Sequence, residues 1–364
     1  MAAPMSVALA KVAPRERPRM EAALGRFRKF LAAEGENLQA VRYLTGRRRA
    51  LVFELRSAAE NGRTASWFLK FGVSLDEGCV AYVNTEARNT LHVHRQMSES
   101  PDFLTSELAV QYEDLACFVL RSAPGRRLDR LVAEAARPGQ PLSAAGEARR
   151  YCMLAGRWLA YFQEKVDPER REPMTPERFL ARVEREVVVV NEAAPPVLSE
   201  AECRMIRARA EELIRGFQPR DFRSSARHSD FAPWNVLCHE GRVCVIDYAD
   251  LAQGSCYFDA WQFIDAMQVL GNRVLTRRSR VDLLKEAFAR ECGLVDEGSP
   301  AVAGYFSLLC KLIRMNAVLN NSRWAFPYSI RNRRLLDRYA AELRALVPAP
   351  AGGGTGAGAG LLSR

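Results

Sequence analysis

Residues 38 to 123 are patterned for strands and residues from 143 onward are patterned for helices, a division that admits few folds. The segments LQAVRYL (38–44), ALVFELR (50–56), SWFLKFG (66–72), LAVQYED (108–114) and CFVLRSA (117–123) are short and rich in Val, Phe, Tyr and Leu. Turn signals such as TGRRR and AENGR set them apart. One stretch among them, CVAYVNTEARNTLHVHRQM (79–97), is too long for a strand and polar along one side, which predicts a helix. The expectation is a small, mostly antiparallel sheet with one helix.

In the second half, Ser143 is placed to cap a helix that aligns Leu154, Trp158, Tyr161 and Phe162. Thr175-Pro176-Glu177 reads as a cap, a first-turn proline and a first-turn acid, and Ser199 to Glu202 as a capping box. Three more helical segments are predicted near 281–293, 301–320 and 329–346. The exception is 227–250, where RHSDFAPWNVL and RVCVIDYADL read as a loop with a short hairpin. A polar break inside a helical region is where a site is to be sought.

A chain of 364 residues is too long for one minimal core, so two lobes are expected. The boundaries fall at a flexible basic leader (1–20), a first lobe (21–123), a second lobe (124–346) and a Gly/Ala-rich tail (347–364). Apolar residues at 48% and charged residues at 26% supply a core and exclude general disorder. No run approaches the roughly 18 apolar residues of a membrane span. The N-terminal apolar patch has no basic leader before it, so a cytoplasmic protein is expected. Nine cysteines without CxxC pairs read as reduced thiols, and Cys238, Cys244 and Cys256 do not follow zinc spacing. The net charge of +10 comes mostly from arginines spread along helices between acids, which reads as a solvated surface that would favour acidic substrates. A nucleic-acid or membrane-surface partner would rest on that charge alone, so none is expected, and oligomeric state is left open.

Chemistry concentrates in His228-Ser229-Asp230-Phe231-Ala232-Pro233-Trp234-Asn235, followed twelve residues later by Asp247 at the end of VCVID. Phosphoryl transfer needs a carboxylate to orient and deprotonate the attacking hydroxyl, and oxygen ligands for a cation beside the phosphate. Asp230 and Asn235, at D-x-x-x-x-N spacing, suit the first need and part of the second. Asp247 leaves its strand beside Asn235 if CHEGR is a hairpin turn, and its carboxylate suits a hard cation. A lone D-x4-N match more often marks an Asp that caps a turn. Its union with the preceding His, the VCVID strand and Asp259 in YFDAW is far more specific.

This pattern, H-x-D-x-x-x-x-N with an I-D strand and then Gly254 and Asp259, resembles the aminoglycoside phosphotransferase and choline kinase superfamily. HSDFAPWNVL is close to that family's HGDFAPWN form. The resemblance implies an α+β, two-lobed protein-kinase-like fold, with a nucleotide-binding sheet lobe and a larger, mainly helical lobe for catalysis and acceptor binding. It implies Asp230 as catalytic base, Asn235 and Asp247 as ligands of magnesium (Mg2+), and His228 and Asp259 as braces of the loop. ATP, or GTP in its place, would be the co-substrate, and a small-molecule hydroxyl the acceptor. RSAPGRRLD (121–129) resembles the family's hinge between lobes.

Lys70, one of six lysines, lies mid-strand in WFLKF, and a lysine so placed either snorkels out at an edge or meets an anion. The resemblance implies nucleotide phosphates and a helix glutamate as its partners. Glu86 in the predicted helix is favoured over Glu77, which lies too near the strand end to reach back. Some features depart from the family pattern. No GxGxxG is present, only Thr45-Gly46 followed by Arg47, Arg48 and Arg49; Ser229 replaces a glycine; and Ala232 stands where protein kinases carry lysine, which fits small acceptors. A catalytically silent relative that binds nucleotide or a partner protein is the alternative suggested by the missing glycine loop. Asp265, Asp282 and Glu286 mixed with Arg273, Arg277, Arg278 and Arg280 favour a sugar, glycan precursor or amino alcohol over a polycationic aminoglycoside.

Overall fold

Side chains of the first strands alternate between two apolar faces, and a helix covers each. The computed structural model describes residues 8–46, 49–166, 173–192, 197–273, 275–320 and 328–347. Helix α1 (Arg17–Ala33) precedes β1 (Glu36–Gly46), β2 (Ala50–Ala59) and β3 (Thr64–Gly72); α2 (Glu77–Met97) leads to β4 (Phe103–Leu104), β5 (Leu108–Tyr112) and β6 (Cys117–Arg121). Five of these strands form an antiparallel sheet in the order β1-β2-β3-β6-β5. Trp67, Leu69 and Phe71 of β3, with Cys117 and Val119 of β6, pack with Leu24, Phe27 and Leu31 of α1. The intervening positions face the other way, where Phe118 meets Val83 and Ala87 of α2. Lys70 pairs across the ladder with Phe118 and so shares the α2 face.

The expected flexible leader is corrected for residues 8–20, and the sheet gains a second helix, α1. Ala8, Val12 and Met20 are buried. The Arg19 guanidinium donates to the Leu115 and Gly72 carbonyls at 2.6 and 2.5 Å and lies 4.0 Å over the Phe71 ring. The prolines that suggested a leader occupy first turns of helical segments, where a missing N–H costs nothing. Residues 1–7 of the leader and 348–364 of the tail, with Arg47 and Arg48, lie outside the described residues.

The chain continues through β7 (Arg126–Arg127), α3 (Leu128–Ala135), α4 (Leu142–Lys165), α5 (Pro176–Asn191), α6 (Glu200–Arg215) and β8 (Ser224–Arg227). Next come β9 (Val236–His239), β10 (Arg242–Val245), β11 (Ala252–Ser255), α7 (Phe258–Gly271), α8 (Arg278–Cys292), α9 (Leu294–Glu297), α10 (Pro300–Leu319) and α11 (Tyr328–Leu346). Ser143 is not a cap. Helix α4 starts at Leu142 after Pro141, whose fixed φ of −67° serves the N-cap position without a side-chain bond.

Two compact units result: Met1–Pro173 with Arg223–Glu297, and Met174–Phe222 with Gly298–Arg364. Within the first unit, residues on both sides of 123/124 share one core. Val93 and Met97 of α2 and Phe103 of β4 belong to the same buried cluster as Leu128, Trp158, Phe231 and Phe263. Strand β4 also pairs in parallel with β10, completing a second sheet in the order β4-β10-β9-β7. At the centre of that cluster Trp158 stacks on Phe162 and Phe231, with ring centroids 4.8 and 5.2 Å apart.

The second unit is helical. Thr175 caps α5 and Ser199 with Glu202 forms a capping box on α6. Phe179 is enclosed edge-on by Phe217 and Tyr305, and the Tyr305 hydroxyl donates to the Phe179 carbonyl at 2.8 Å. Among the described residues one helix, α10, is long and apolar enough to cross a membrane. It carries Lys311, paired with Glu342 at 3.0 Å, and packs on α5, α6 and α11 as a core helix does.

Candidate active site

A hairpin delivers Asp247. Strands β9 and β10 join through Glu240 and Gly241, both at positive φ (45° and 78°), the geometry that matches a two-residue turn to strand twist. The Ile246 N–H extends the ladder by donating to the Asn235 carbonyl at 3.0 Å, so Asp247 leaves the strand beside Asn235. Strand β7 lies close against β9 because Gly125 has no side chain; a Cβ there would sit 2.5 Å from the Cys238 carbonyl oxygen.

The 228–235 loop is pinned from several directions. His228 is fully buried, accepts the Asp230 N–H at Nδ1 (3.3 Å) and places Nε2 3.1 Å from the Ile246 carbonyl. A carbonyl only accepts, so the proton resides on Nε2 and one neutral tautomer satisfies both contacts. Burial holds the His228 pKa below its ordinary value against the opposing pull of Asp259 and Asp247. The buried Asp259 carboxylate accepts the N–H groups of His228 and Ser229 at 2.6 and 2.9 Å. Ser229, in the glycine position of the pattern, adopts a φ of 71°. The Asn235 Nδ2 donates to the Asp230 carbonyl and to its carboxylate Oδ2 at 2.8 and 3.0 Å.

Lys70 enters from the sheet. Its Nζ forms an ion pair with Glu86 and lies 3.0 Å from Asp247 Oδ1, across 177 residues of sequence. Glu86 belongs to the buried stripe of α2 with Cys79, Val83, Ala87, Thr90 and Val93, whereas Glu77 is exposed at the helix start. Burial opposes charge on Lys70, but Glu86 and Asp247 outweigh it and hold its pKa above the usual lysine value. Burial pushes Glu86 up to about 7, against the pull of Lys70. The Tyr82 ring stands 5.3 Å from the ammonium. Lys70, Glu86 and Asp247 are therefore brought into one cluster, and Asp230, Asn235, His228 and Asp259 into a second that meets the first at Ile246-Asp247.

Two contributors escaped sequence reading. Gln262 accepts the Phe231 N–H at 3.1 Å and donates to the Ser229 carbonyl at 3.0 Å; Asn89 donates to the Tyr248 carbonyl at 2.8 Å. Each had a signal in hindsight: Gln262 is a polar residue three positions after Asp259 in an apolar helix, and Asn89 lies three after Glu86. His94, by contrast, bonds Thr105 at 2.7 Å and takes no part in the cluster.

The antiparallel sheet followed by a mostly helical remainder is a kinase-like fold. A family model described as "Phosphotransferase enzyme family" matches residues 60–294, more than half of the chain, and the chain belongs to that family. It is an enzyme, a phosphotransferase with a hydroxyl group as acceptor. The solved structure of aminoglycoside phosphotransferase APH(4)-Ia is similar over 91% of this chain and 98% of its own, at 12% identity and a TM-score of 0.58. A choline/ethanolamine kinase family protein from Mesorhizobium loti is similar over 86% and 89%, at 16% identity and a TM-score of 0.53. Amicoumacin kinase hAmiN, solved with AMP-PNP, Ca2+ and Ami, is similar over 85% and 89%, at 13% identity and a TM-score of 0.52. At such identities the likeness shows the fold alone. A search of curated protein sequences finds no match.

Proposed function

We propose that the chain transfers the γ-phosphoryl group of ATP to a hydroxyl of a small, non-polycationic acceptor, with Asp230 as base. The observation that carries this reading is the 3.0 Å contact of Lys70 with Asp247, which sets a sheet cation against the strand end bonded to the Asn235 carbonyl, beside the loop that holds Asp230. Asp230 orients the acceptor hydroxyl and takes its proton as the new O–P bond forms. The bond from the γ-phosphorus to the bridging oxygen breaks, and its electron pair leaves with ADP. Lys70, steadied by Glu86, holds the nucleotide phosphates. Asn235 and Asp247 fit magnesium: both offer hard oxygen donors, and because the Asn235 Nδ2 is engaged with Asp230, its carboxamide oxygen is the atom it presents to a cation. When bound, the ion neutralises charge on the phosphate oxygens. The hAmiN complex with AMP-PNP supports ATP as donor.

The acceptor reading rests on charge. Of the carboxylates that could meet a polycation, Asp282 is taken up by Lys285 at 2.9 Å and Arg278 at 4.0 Å, which lowers the charge on offer. A sugar, glycan precursor or amino alcohol fits better than an aminoglycoside. The test is ATP consumption across a panel of hydroxylated acceptors with wild type, Asp230→Asn and Asp247→Ala. Turnover is expected to fall roughly 1,000-fold in each variant. Near-normal turnover in either would remove that residue's role, and nucleotide binding with no turnover on any acceptor would favour the silent alternative.

A further inference from the structure

We propose that Gln262 is a positioning residue for Asp230, acting on the chemical step and not on nucleotide binding; this rests on Asp230 being the base. Gln262 lies on α7 with 7% of its surface exposed. Its Oε1 accepts from the Phe231 N–H at 3.1 Å and its Nε2 donates to the Ser229 carbonyl at 3.0 Å. Those two groups belong to the residues on either side of Asp230. A carboxamide is the side chain that can meet one donor and one acceptor at once, and here it spans the peptide units that set the direction of the Asp230 Cα–Cβ bond. The rotation left to the carboxylate is limited by Asn235 at 3.0 Å.

Asp259, one turn earlier on the same helix, holds the N–H groups of His228 and Ser229. The two residues divide the loop between them. Asp259 fixes where it enters, and Gln262 fixes the stretch that carries the carboxylate. The ion pairs of Lys70 with Glu86 and Asp247 do not involve Gln262, so the lysine that would hold the phosphates is placed without it. A displacement of about 1 Å in a reacting group costs on the order of 100-fold in rate, which sets the scale of the expected effect.

The test uses the full chain with MgATP, reading hydrolysis with water as the probe acceptor. AMP-PNP titration counts folded sites, so turnover is expressed per binding-competent molecule. Gln262→Met removes both hydrogen bonds. Gln262→Glu keeps the acceptor for the Phe231 amide at nearly the same volume and serves if the first variant folds poorly. Turnover at saturating MgATP is expected to fall roughly 10- to 100-fold, with AMP-PNP affinity changed by less than about threefold. In an Asp230→Asn background the same substitutions should add less than about a twofold loss, because the group they position is gone. Unchanged turnover per site in both variants, or an equal further loss in the Asp230→Asn background, overturns the role of Gln262. Wild-type turnover in Asp230→Asn alone would instead overturn the base assignment.

Discussion

Asp259→Asn removes one of two charge-assisted hydrogen bonds at the entrance of the 228–235 loop, and its cost can be worked from the geometry. The carboxylate now receives the His228 and Ser229 amides at 2.6 and 2.9 Å, one on each oxygen. Asparagine keeps one oxygen and turns an NH2 toward the other amide, so a bond to a charged acceptor becomes a donor facing a donor. A hydrogen bond to a charged group contributes about 1.5–3 kcal/mol, and with the His228 bond buried and the Ser229 bond partly so a loss of about 2 kcal/mol is expected. Ser229 adds to it. At a φ of 71° a residue with a Cβ is disfavoured by roughly 1–2 kcal/mol, so the loop relaxes readily once the anchor weakens. Denaturant unfolding followed by tryptophan fluorescence suits the measurement, because Trp158 stacks on Phe231 within this unit. Hydrogen exchange at the 228 and 229 amides should rise together with the loss of stability. Unfolding within about 0.5 kcal/mol of wild type, with both amides as protected as before, would refute the reasoning.

Two further predictions concern charge. Glu86→Gln leaves Lys70 with Asp247 as its remaining carboxylate partner, so the ammonium is drawn toward the hairpin; AMP-PNP affinity should fall about tenfold, with stability lowered by less than the roughly 3–5 kcal/mol of a fully broken buried pair. Unaltered affinity would count against Lys70 as the phosphate contact. His228 has a pKa below its ordinary value of 6.5 in the folded chain, so above that pH neither state is protonated and its contribution is intact. As pH falls below about 6.5 the unfolded state gains a proton that the folded state resists, and stability is lost. The difference in unfolding free energy between wild type and His228→Asn should be level above that pH and narrow below it; a constant difference across the range would show that His228 does not titrate as described.

The strands were legible because alternation is a local signal: every second residue of SWFLKFG is buried against α1, and the periodicity needs no knowledge of the rest of the chain. Glu86 is preferred to Glu77 on distance from the strand end, and it lies in the stripe that is buried along α2. Helix α1 was hidden by its arginines and prolines. What makes its start a packed helix is the reach of Arg19 to Leu115, 96 residues away, and no window of sequence contains that contact. The same holds for Gln262 and Asn89, whose partners are backbone atoms at separations of 31 and 159 residues. The pairing of β4 with β10 is equally invisible, because a two-residue strand has no pattern of its own until its partner lies beside it.

Four hydrogen bonds close a ring around the proposed base and the proposed metal ligands. The Asp230 N–H reaches His228 Nδ1, His228 Nε2 reaches the Ile246 carbonyl, the Ile246 N–H reaches the Asn235 carbonyl, and Asn235 Nδ2 returns to the Asp230 carbonyl. None of these links uses the carboxylate of Asp230 or Asp247, so both can be engaged by ligands without loosening the frame. His228 must stay neutral for the ring to close, because a protonated Nδ1 would confront the Asp230 amide with a second donor. Its burial among Trp158, Phe231 and Tyr248 enforces that state. Lys70 then attaches the sheet to this ring through Asp247, and Asn89 attaches α2 through the Tyr248 carbonyl one residue later. The ion pair and the hydrogen bond thus hold adjacent residues, so a shift of α2 would move Glu86, Lys70 and Asp247 as a group and not one at a time.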